Sequence, residues 1–326
     1  MRDGATDGAA RVGIGLAAVG RPAYINAGRA RDFNGERDVH ALRHRTWLVL
    51  DAAYEAGIRY VDVARSYGGA EEFLAAWLSD RGTRRPPEAE DVEIGSKWGY
   101  RYVGDWRMDA AVHEVKDHSL AAFTEQVTQS KGLLGQRLSV YHVHSATLDT
   151  GVMHDRLVHR ALAGLRADGV RVGISTSGPR QCDTIRRALE IVVDGELLFT
   201  SVQSTWNLLE PSAGDALAEA ADAGCRVIVK EAVANGRLTA SDPHPHRELQ
   251  TLADRVGVPL DRLATAAALA QPWAWRVLSG AANPEQVLSN VAASGLRLDA
   301  GTLDEALSYA DKPEDYWTAR SHRAWA

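Results

Sequence analysis

The fold class this sequence predicts is α/β, a closed parallel (β/α)8 barrel of the TIM type, and three observations predict it. Eight short β-rich runs, at about residues 12–17, 58–63, 92–97, 138–144, 170–175, 198–203, 225–230 and 276–279, are separated mostly by helical patterns. One junction is written three times: Glu55-Ala-Gly-Ile-Arg-Tyr-Val-Asp-Val, Ala167-Asp-Gly-Val-Arg-Val-Gly-Ile-Ser and Asp222-Ala-Gly-Cys-Arg-Val-Ile-Val-Lys. In each, a glycine (Gly57, Gly169, Gly224) can take the left-handed conformation that ends a helix before a strand begins. Finally, an open doubly wound sheet usually carries G-x-G-x-x-G after an early strand, and Val12-Gly-Ile-Gly-Leu-Ala-Ala-Val-Gly lacks that spacing.

The helices between the runs show one-turn spacing of apolar residues, as in Trp47, Leu50 and Tyr54, or Leu120, Phe123 and Val127. No Pro/Gly/Ser-rich linker divides residues 1–326, so one barrel domain with extended loops is expected. Residues 1–11 read as a flexible start. The tail from about residue 312, with Trp317 and Trp325, is expected at the barrel mouth.

Composition narrows the function. With 45% hydrophobic and 25% charged residues the 326-residue chain is an ordered globular protein. Its 37 basic against 43 acidic residues lack the surplus that binding nucleic acid demands. Two cysteines, Cys182 and Cys225, make neither a disulfide framework nor a four-ligand zinc site, and they suit the cytoplasm. The longest apolar-looking stretch, Leu263 to Trp275, is too short for a bilayer span, so no membrane partner is expected.

A charged residue that closes an interior strand either has a buried partner or works chemically. Asp62, Lys97, His144 and Gln203 each close a predicted strand, and in a parallel barrel all four gather at one mouth. Tyr67 follows Asp62 at the turn into a helix and can overhang that mouth. An ammonium favours an ionised phenol, so Lys97 is expected to make Tyr67 a better proton donor, with Asp62 orienting Lys97. His144 can hydrogen-bond a substrate oxygen. No side chain supplies hydride, so a cofactor is implied.

These residues resemble the aldo-keto reductase superfamily from Val12 to about Asn290. Asp62-Val-Ala-Arg-Ser-Tyr67-Gly68 is similar to the family's Asp-x-Ala-x-x-Tyr-Gly, Lys97 to its strand-ending lysine, and Tyr141-His-Val-His144 to its fourth strand. The resemblance implies a cytoplasmic oxidoreductase that reduces an aldehyde or ketone with NADP(H), or with NAD(H). In it Tyr67 is the general acid, tuned by Lys97 and Asp62, and His144 positions the carbonyl. It also implies cofactor contacts from Ser175, Thr176, Gln203 and Trp206, from Lys230, Asn235 and Gly236, and from Gly280, Gln286 and Asn290. Two departures stand out. Ala281 to Asn290 contains no basic residue to pair a 2′-phosphate, and Lys230-Glu231 replaces the usual aromatic-Ser, which leaves Trp206 as the candidate stacking platform or brings Lys230 and Glu231 into the substrate site. The segment Trp98 to Trp106 is aromatic, and Trp98, Tyr100 and Trp106 are the substrate-binding candidates; the alternative reading of the same loop is a plain cover of the barrel.

Two other classes are weighed against this one. A nucleotide-binding regulatory subunit would keep the barrel and the cofactor without turnover. A metal-dependent hydrolase is suggested by His142 and His144, which share a strand face. Hydrolase barrels need more His or Asp at other strand ends, where this chain offers Lys97, Gln203 and Lys230, so no metal is expected and His142 reads as a hydrogen-bonded interior residue.

Overall fold

The computed structural model describes residues 8–25, 33, 35–84, 92–242, 244 and 246–325. Eight parallel strands close into a barrel: β1 (Val12–Gly15), β2 (Tyr60–Asp62), β3 (Glu93–Trp98), β4 (Leu138–Ala146), β5 (Arg171–Thr176), β6 (Ser201–Thr205), β7 (Arg226–Lys230) and β8 (Arg276–Ser279). They follow one another in chain order, and β8 returns to β1 with Val277 opposite Val12. All eight predicted runs become strands. The sixth begins later than predicted, because Leu198 bonds back to Ile191 O at 2.9 Å before the strand is reached.

The helices are α1 (Val39–Glu55), α2 (Ala70–Arg84), α3 (Leu120–Leu134), α4 (Arg156–Ala167), α5 (Gln181–Leu189), α6 (Gly214–Asp222), α7 (Arg247–Val256), α8 (Leu260–Leu269), α9 (Pro284–Ala292), α10 (Ala300–Leu307) and α11 (Pro313–Ser321). Side chains cap several of them: Asp38 accepts from the backbone N–H of His40 and Ala41, and Asp155 from Leu157 and Val158. The repeated junction is what it reads as, since Gly57, Gly169 and Gly224 all have φ between 83° and 92°. The apolar stripes hold in part. Leu50, Tyr54 and Phe123 are buried, whereas Leu120, the first residue of α3, faces solvent although Ala122 in the same turn is fully buried.

Inside the barrel, side-chain alternation sorts each strand into an inner and an outer face. An apolar plug of Tyr60, Val140, Ile228 and Leu278 fills the lower barrel, edged by Trp275. Gly95 makes this possible: a Cβ there would lie 2.1 Å from Tyr60 Oη. Two residues further along three of these strands, on the same inner face, stand Asp62, His142 and Lys230. An apolar floor therefore carries a polar layer at the C-terminal rim, the end at which barrels of this kind place their sites.

Two additions shape the rim. Tyr100–Tyr102 pairs antiparallel with Glu114–Lys116 in a hairpin after β3. The tail comes to the mouth as expected, with Tyr316 and Trp317 of α11 buried and Trp325 beside the opening. At the start of the described chain the Arg11 guanidinium donates to Gln271 O at 3.2 Å and Ala274 O at 2.9 Å, and Ala9 is buried. Residues 1–7 lie outside the described residues. Among the described residues no helix is long and apolar enough to cross a membrane.

Candidate active site

A cavity of about 300 Å³ opens at the C-terminal rim, and Asp62, Tyr67, His144 and Gln203 line it. Asp62 and Lys97 form a buried ion pair at the end of β2 and β3, in which Lys97 Nζ donates to Asp62 Oδ1 and, at 2.9 Å, to Val63 O. Gln203 Nε2 donates to the other carboxylate oxygen at 2.7 Å. The lysine ammonium lies 4.9 Å from the centroid of the Tyr67 ring. Tyr67 Oη is 3.5 Å from His144 Nε2, and Ser66 Oγ is 3.4 Å from His144 Nδ1. Asp62, Tyr67, His144 and Gln203 thus line one pocket, and Lys97 lies behind its lining, bonded to Asp62.

Their electrostatics correct one expectation. Burial, reinforced by the Asp62 charge, holds the Tyr67 phenol well above its usual range, and the Arg21 guanidinium offsets this only in part. Tyr67 therefore keeps its proton through neutral pH. Burial also holds the His144 imidazole well below its usual range, helped by the positive charges of Lys97, Arg21 and Lys230. It stays neutral at physiological pH, with one ring nitrogen to donate and one to accept. Asp62 is raised by burial against the opposing pull of Lys97 and Gln203.

The cofactor candidates divide by strand parity. Ser175, Gln203 and Lys230 line the cavity, joined by Asn235 and Gly280 from loops. Asn235 Oδ1 is buried with no hydrogen-bond partner among the described residues, an acceptor waiting for a donor. Gly280 is open, with nothing within 4 Å of where a Cβ would stand. Thr176 and Trp206 point the other way: Thr176 Oγ1 meets Ser204 Oγ, and Trp206 packs edge-on against Trp273 at 5.8 Å. Trp206 is therefore no stacking platform in this cavity. Gly236, next to Asn235, is buried, while Gln286 and Asn290 brace the loop after β8 by accepting from Ala282 N at 2.8 Å and donating to Ser279 Oγ at 2.8 Å.

Of the substrate candidates, Tyr100 lines the cavity and meets the His144 ring edge-on at 4.9 Å. Trp98 is fully buried against Phe123 and His118, behind β3. Trp106 lies away from the cavity and donates to Arg37 O at 3.0 Å, which makes it part of the cover. His142 is an interior residue, 2.9 Å from Ser201 Oγ. Among the described residues no three His, Cys, Asp or Glu side chains are grouped to hold a metal ion.

The sequence reading missed the far wall. Arg21 and Tyr24 follow β1, Glu114 comes from the hairpin, and Arg320, Arg323 and Trp325 come from the tail. Arg21 pairs with Glu114 at 2.7 Å and lies 5.2 Å from the Tyr67 ring centroid and 4.8 Å from that of Trp325. Arg320 grips Glu231 through Nε, at 3.2 and 3.1 Å from the two oxygens. Burial alone would raise the Glu231 carboxyl, but Arg320 and Lys230 outweigh it and bring it down to about 2. One signal for this was present: a glutamate at a barrel rim calls for a cation, and the only question was from where.

Residues 13–307 match the Aldo/keto reductase family. The chain belongs to that family. It is accordingly an oxidoreductase of the carbonyl–alcohol couple. A D-threo-aldose 1-dehydrogenase from a Pseudomonas species is 25% identical over 292 residues, covering 79% of this chain and 86% of that one. Among solved structures, the holo form of aldo-keto reductase AKR11C1 from Bacillus halodurans superposes with a TM-score of 0.68 at 23% identity, covering 93% of this chain and 92% of that chain. The Pseudomonas aeruginosa protein PA4992 gives 0.61 at 24% identity, over 87% and 88%. At these identities the two structures speak for the fold of this aldo/keto reductase, which they share.

Proposed function

We propose that this aldo/keto reductase interconverts an aldehyde or ketone and its alcohol with a nicotinamide dinucleotide, NADP(H) or NAD(H), seated in the rim cavity. The observation that carries the reading is the convergence of a protonated phenol, a neutral imidazole and a buried lysine–aspartate pair on one wall of that cavity. A bound dinucleotide supplies the hydride that no side chain can. Ser175, Asn235 and Gly280 are the residues that would hold it, and the unpartnered Asn235 Oδ1 supports the fit. In the reducing direction Tyr67 gives its proton to the carbonyl oxygen as the carbon gains hydride, and His144 hydrogen-bonds that oxygen and fixes its direction. Asp62, Lys97 and Gln203 hold the floor beneath Tyr67.

The relative's activity on aldoses favours a sugar among the candidate substrates, and so does a wall of Tyr24, Tyr100, Ser145 and Glu231, rich in groups that bond hydroxyls. To test the reading, the pure protein is titrated with NADH and NADPH by fluorescence quenching, and aldehydes, ketones and aldoses are then screened with the tighter one. Binding of at least one dinucleotide and its turnover with a carbonyl or an aldose are expected. Because Ala281 to Asn290 carries no basic residue, the preference for NADPH should stay below about tenfold. Binding with no turnover across the panel points instead to a nucleotide-binding regulatory subunit, and binding of neither dinucleotide overturns the proposal.

A further inference from the structure

We propose that Lys230, at the tip of β7, is an anion-recognition residue of the rim cavity that selects ligands carrying a carboxylate or phosphate. The proposal rests on the functional reading above and extends it to the charge of the ligand. It starts from the pairing of charges around the cavity. Among the described residues, its lining has three carboxylates, Asp62, Glu114 and Glu231, and four cationic side chains, Arg21, Lys230, Arg320 and Arg323.

Each carboxylate is already engaged by a cation other than Lys230. Asp62 holds Lys97, Glu114 holds Arg21 at 2.7 Å, and Glu231 is gripped by Arg320 through two nitrogens. Arg323 turns to Asn235 O at 2.9 Å and Asp242 at 3.7 Å. Lys230 donates to a neutral hydroxyl, Thr205 Oγ1, at 2.6 Å, and lies 3.8 Å from a carboxylate oxygen of Glu231 that Arg320 already holds. An ammonium has three donors, and this one, with a side chain only 17% exposed, faces the cavity. A partly buried cation in that position is stabilised by an arriving anion far more than by a neutral group.

Two further features agree. Burial first, and the neighbouring Arg320 and Lys97 charges against the opposing pull of Glu231 and Asp62, bring the Lys230 amine down to about 8, which marks a charge not fully compensated by its surroundings. Glu231 sits at φ 59° in the left-handed region, a conformation that favours glycine, so the chain accepts backbone strain at the residue that joins Lys230 to Arg320. The Thr205 hydroxyl, which donates to Glu231 Oε2 at 3.1 Å, ties the three side chains into one unit.

The anion has two possible sources, the carbonyl substrate and the dinucleotide's phosphates, and the experiment separates them. Succinate and inorganic phosphate are titrated calorimetrically into the wild type, Lys230→Met and Lys230→Arg, which reads the site without turnover. In the same three proteins kcat/KM is compared for succinate semialdehyde and butyraldehyde, a pair of equal chain length, and Kd is measured for NADH and NADPH. Anion binding is expected to be lost in the methionine variant and kept in the arginine variant. If the substrate supplies the anion, the ratio of kcat/KM for the charged to the neutral aldehyde falls by about 10- to 100-fold in Lys230→Met. If the dinucleotide supplies it, Kd rises by a similar factor and the aldehyde ratio stays put. Equal anion titrations, equal ratios and equal Kd values in wild type and Lys230→Met overturn the proposal. A wild type that binds no dinucleotide overturns the functional reading instead, and the titration with succinate and phosphate still decides the role of Lys230.

Discussion

Tyr67→Phe is expected to lower kcat for carbonyl reduction by about 10²- to 10⁴-fold, the range that a positioned proton donor contributes. The substitution removes one oxygen and leaves the ring where it packs, between the Arg21 guanidinium and the Lys97 ammonium. Its hydrogen bond to His144, at 3.5 Å, is long, so little stability goes with it. Dinucleotide Kd should move by less than about twofold, since no phenol proton is needed to hold the cofactor, and a loss confined to kcat is the signature of an interaction made in the transition state. The pH profile carries a second expectation. Because burial and Asp62 hold the phenol well above its usual range, its proton stays on through neutrality, and Tyr67 contributes no fall in reduction rate until well above pH ~10. A Tyr67→Phe protein reducing the same carbonyl at an unchanged rate would remove the proton-donor assignment.

The second large effect is on stability. Lys97→Met breaks a buried pair from one side and leaves Asp62 hydrogen-bonded to the neutral Gln203 amide. Stranding a buried charge in this way costs about 3–5 kcal/mol. The pH dependence follows from sign. The Asp62 carboxyl is already raised in the folded chain, first by burial, and Lys97 is the main force opposing that rise. Without Lys97 it rises further, so the folded variant takes up a proton that the unfolded chain does not hold at the same pH. Protonation stabilises the folded state, and that contribution is lost as pH climbs through the folded-state value. The variant's deficit against wild type should thus be larger near pH ~8 than near pH ~5, measured as the difference in thermal midpoint. A deficit that is small and equal at both values would show that the pair does not carry the floor of the site.

Much of this was legible in the sequence because a barrel writes its plan in repeats. The glycine-ended junctions at Gly57, Gly169 and Gly224 mark where helices stop and strands start, and all three residues adopt the left-handed conformation that the reading requires. Asp62, Lys97, His144 and Gln203 were legible as a group because charged or polar side chains do not close apolar strands without a reason. The placements that differ fall to strand parity, a rule the sequence itself carries. With Lys97 facing inward, Trp98 must face the helices, and it packs on Phe123. With Ser175 and Gln203 inward, Thr176 and Ser204 meet on the outside, and Trp206, one step beyond Thr205, joins Trp273 there.

The far wall was not legible for a different reason. Arg21 and Trp325 lie in irregular segments, and Glu114 and Arg320 lie on the rim hairpin and on α11, whose placement over the mouth no local period fixes. Their meeting depends on contacts between segments remote in sequence, such as Arg320 with Glu231 and the stacking of Trp325 on His113 at 4.4 Å. The phenol of Tyr67, expected to be lowered by a neighbouring ammonium, is instead raised by burial and by the Asp62 charge. The ammonium is near the phenol ring, but its partner is a carboxylate, and burial then decides the phenol's proton.

The most direct test of the account is a crystal structure of the chain with a nicotinamide dinucleotide and a carbonyl ligand. The account predicts the nicotinamide in the rim cavity, with the carbonyl oxygen within hydrogen-bond reach, about 2.6–3.2 Å, of both Tyr67 Oη and His144 Nε2. A dinucleotide bound elsewhere on the barrel, or a carbonyl oxygen held in the cavity away from both side chains, would contradict it.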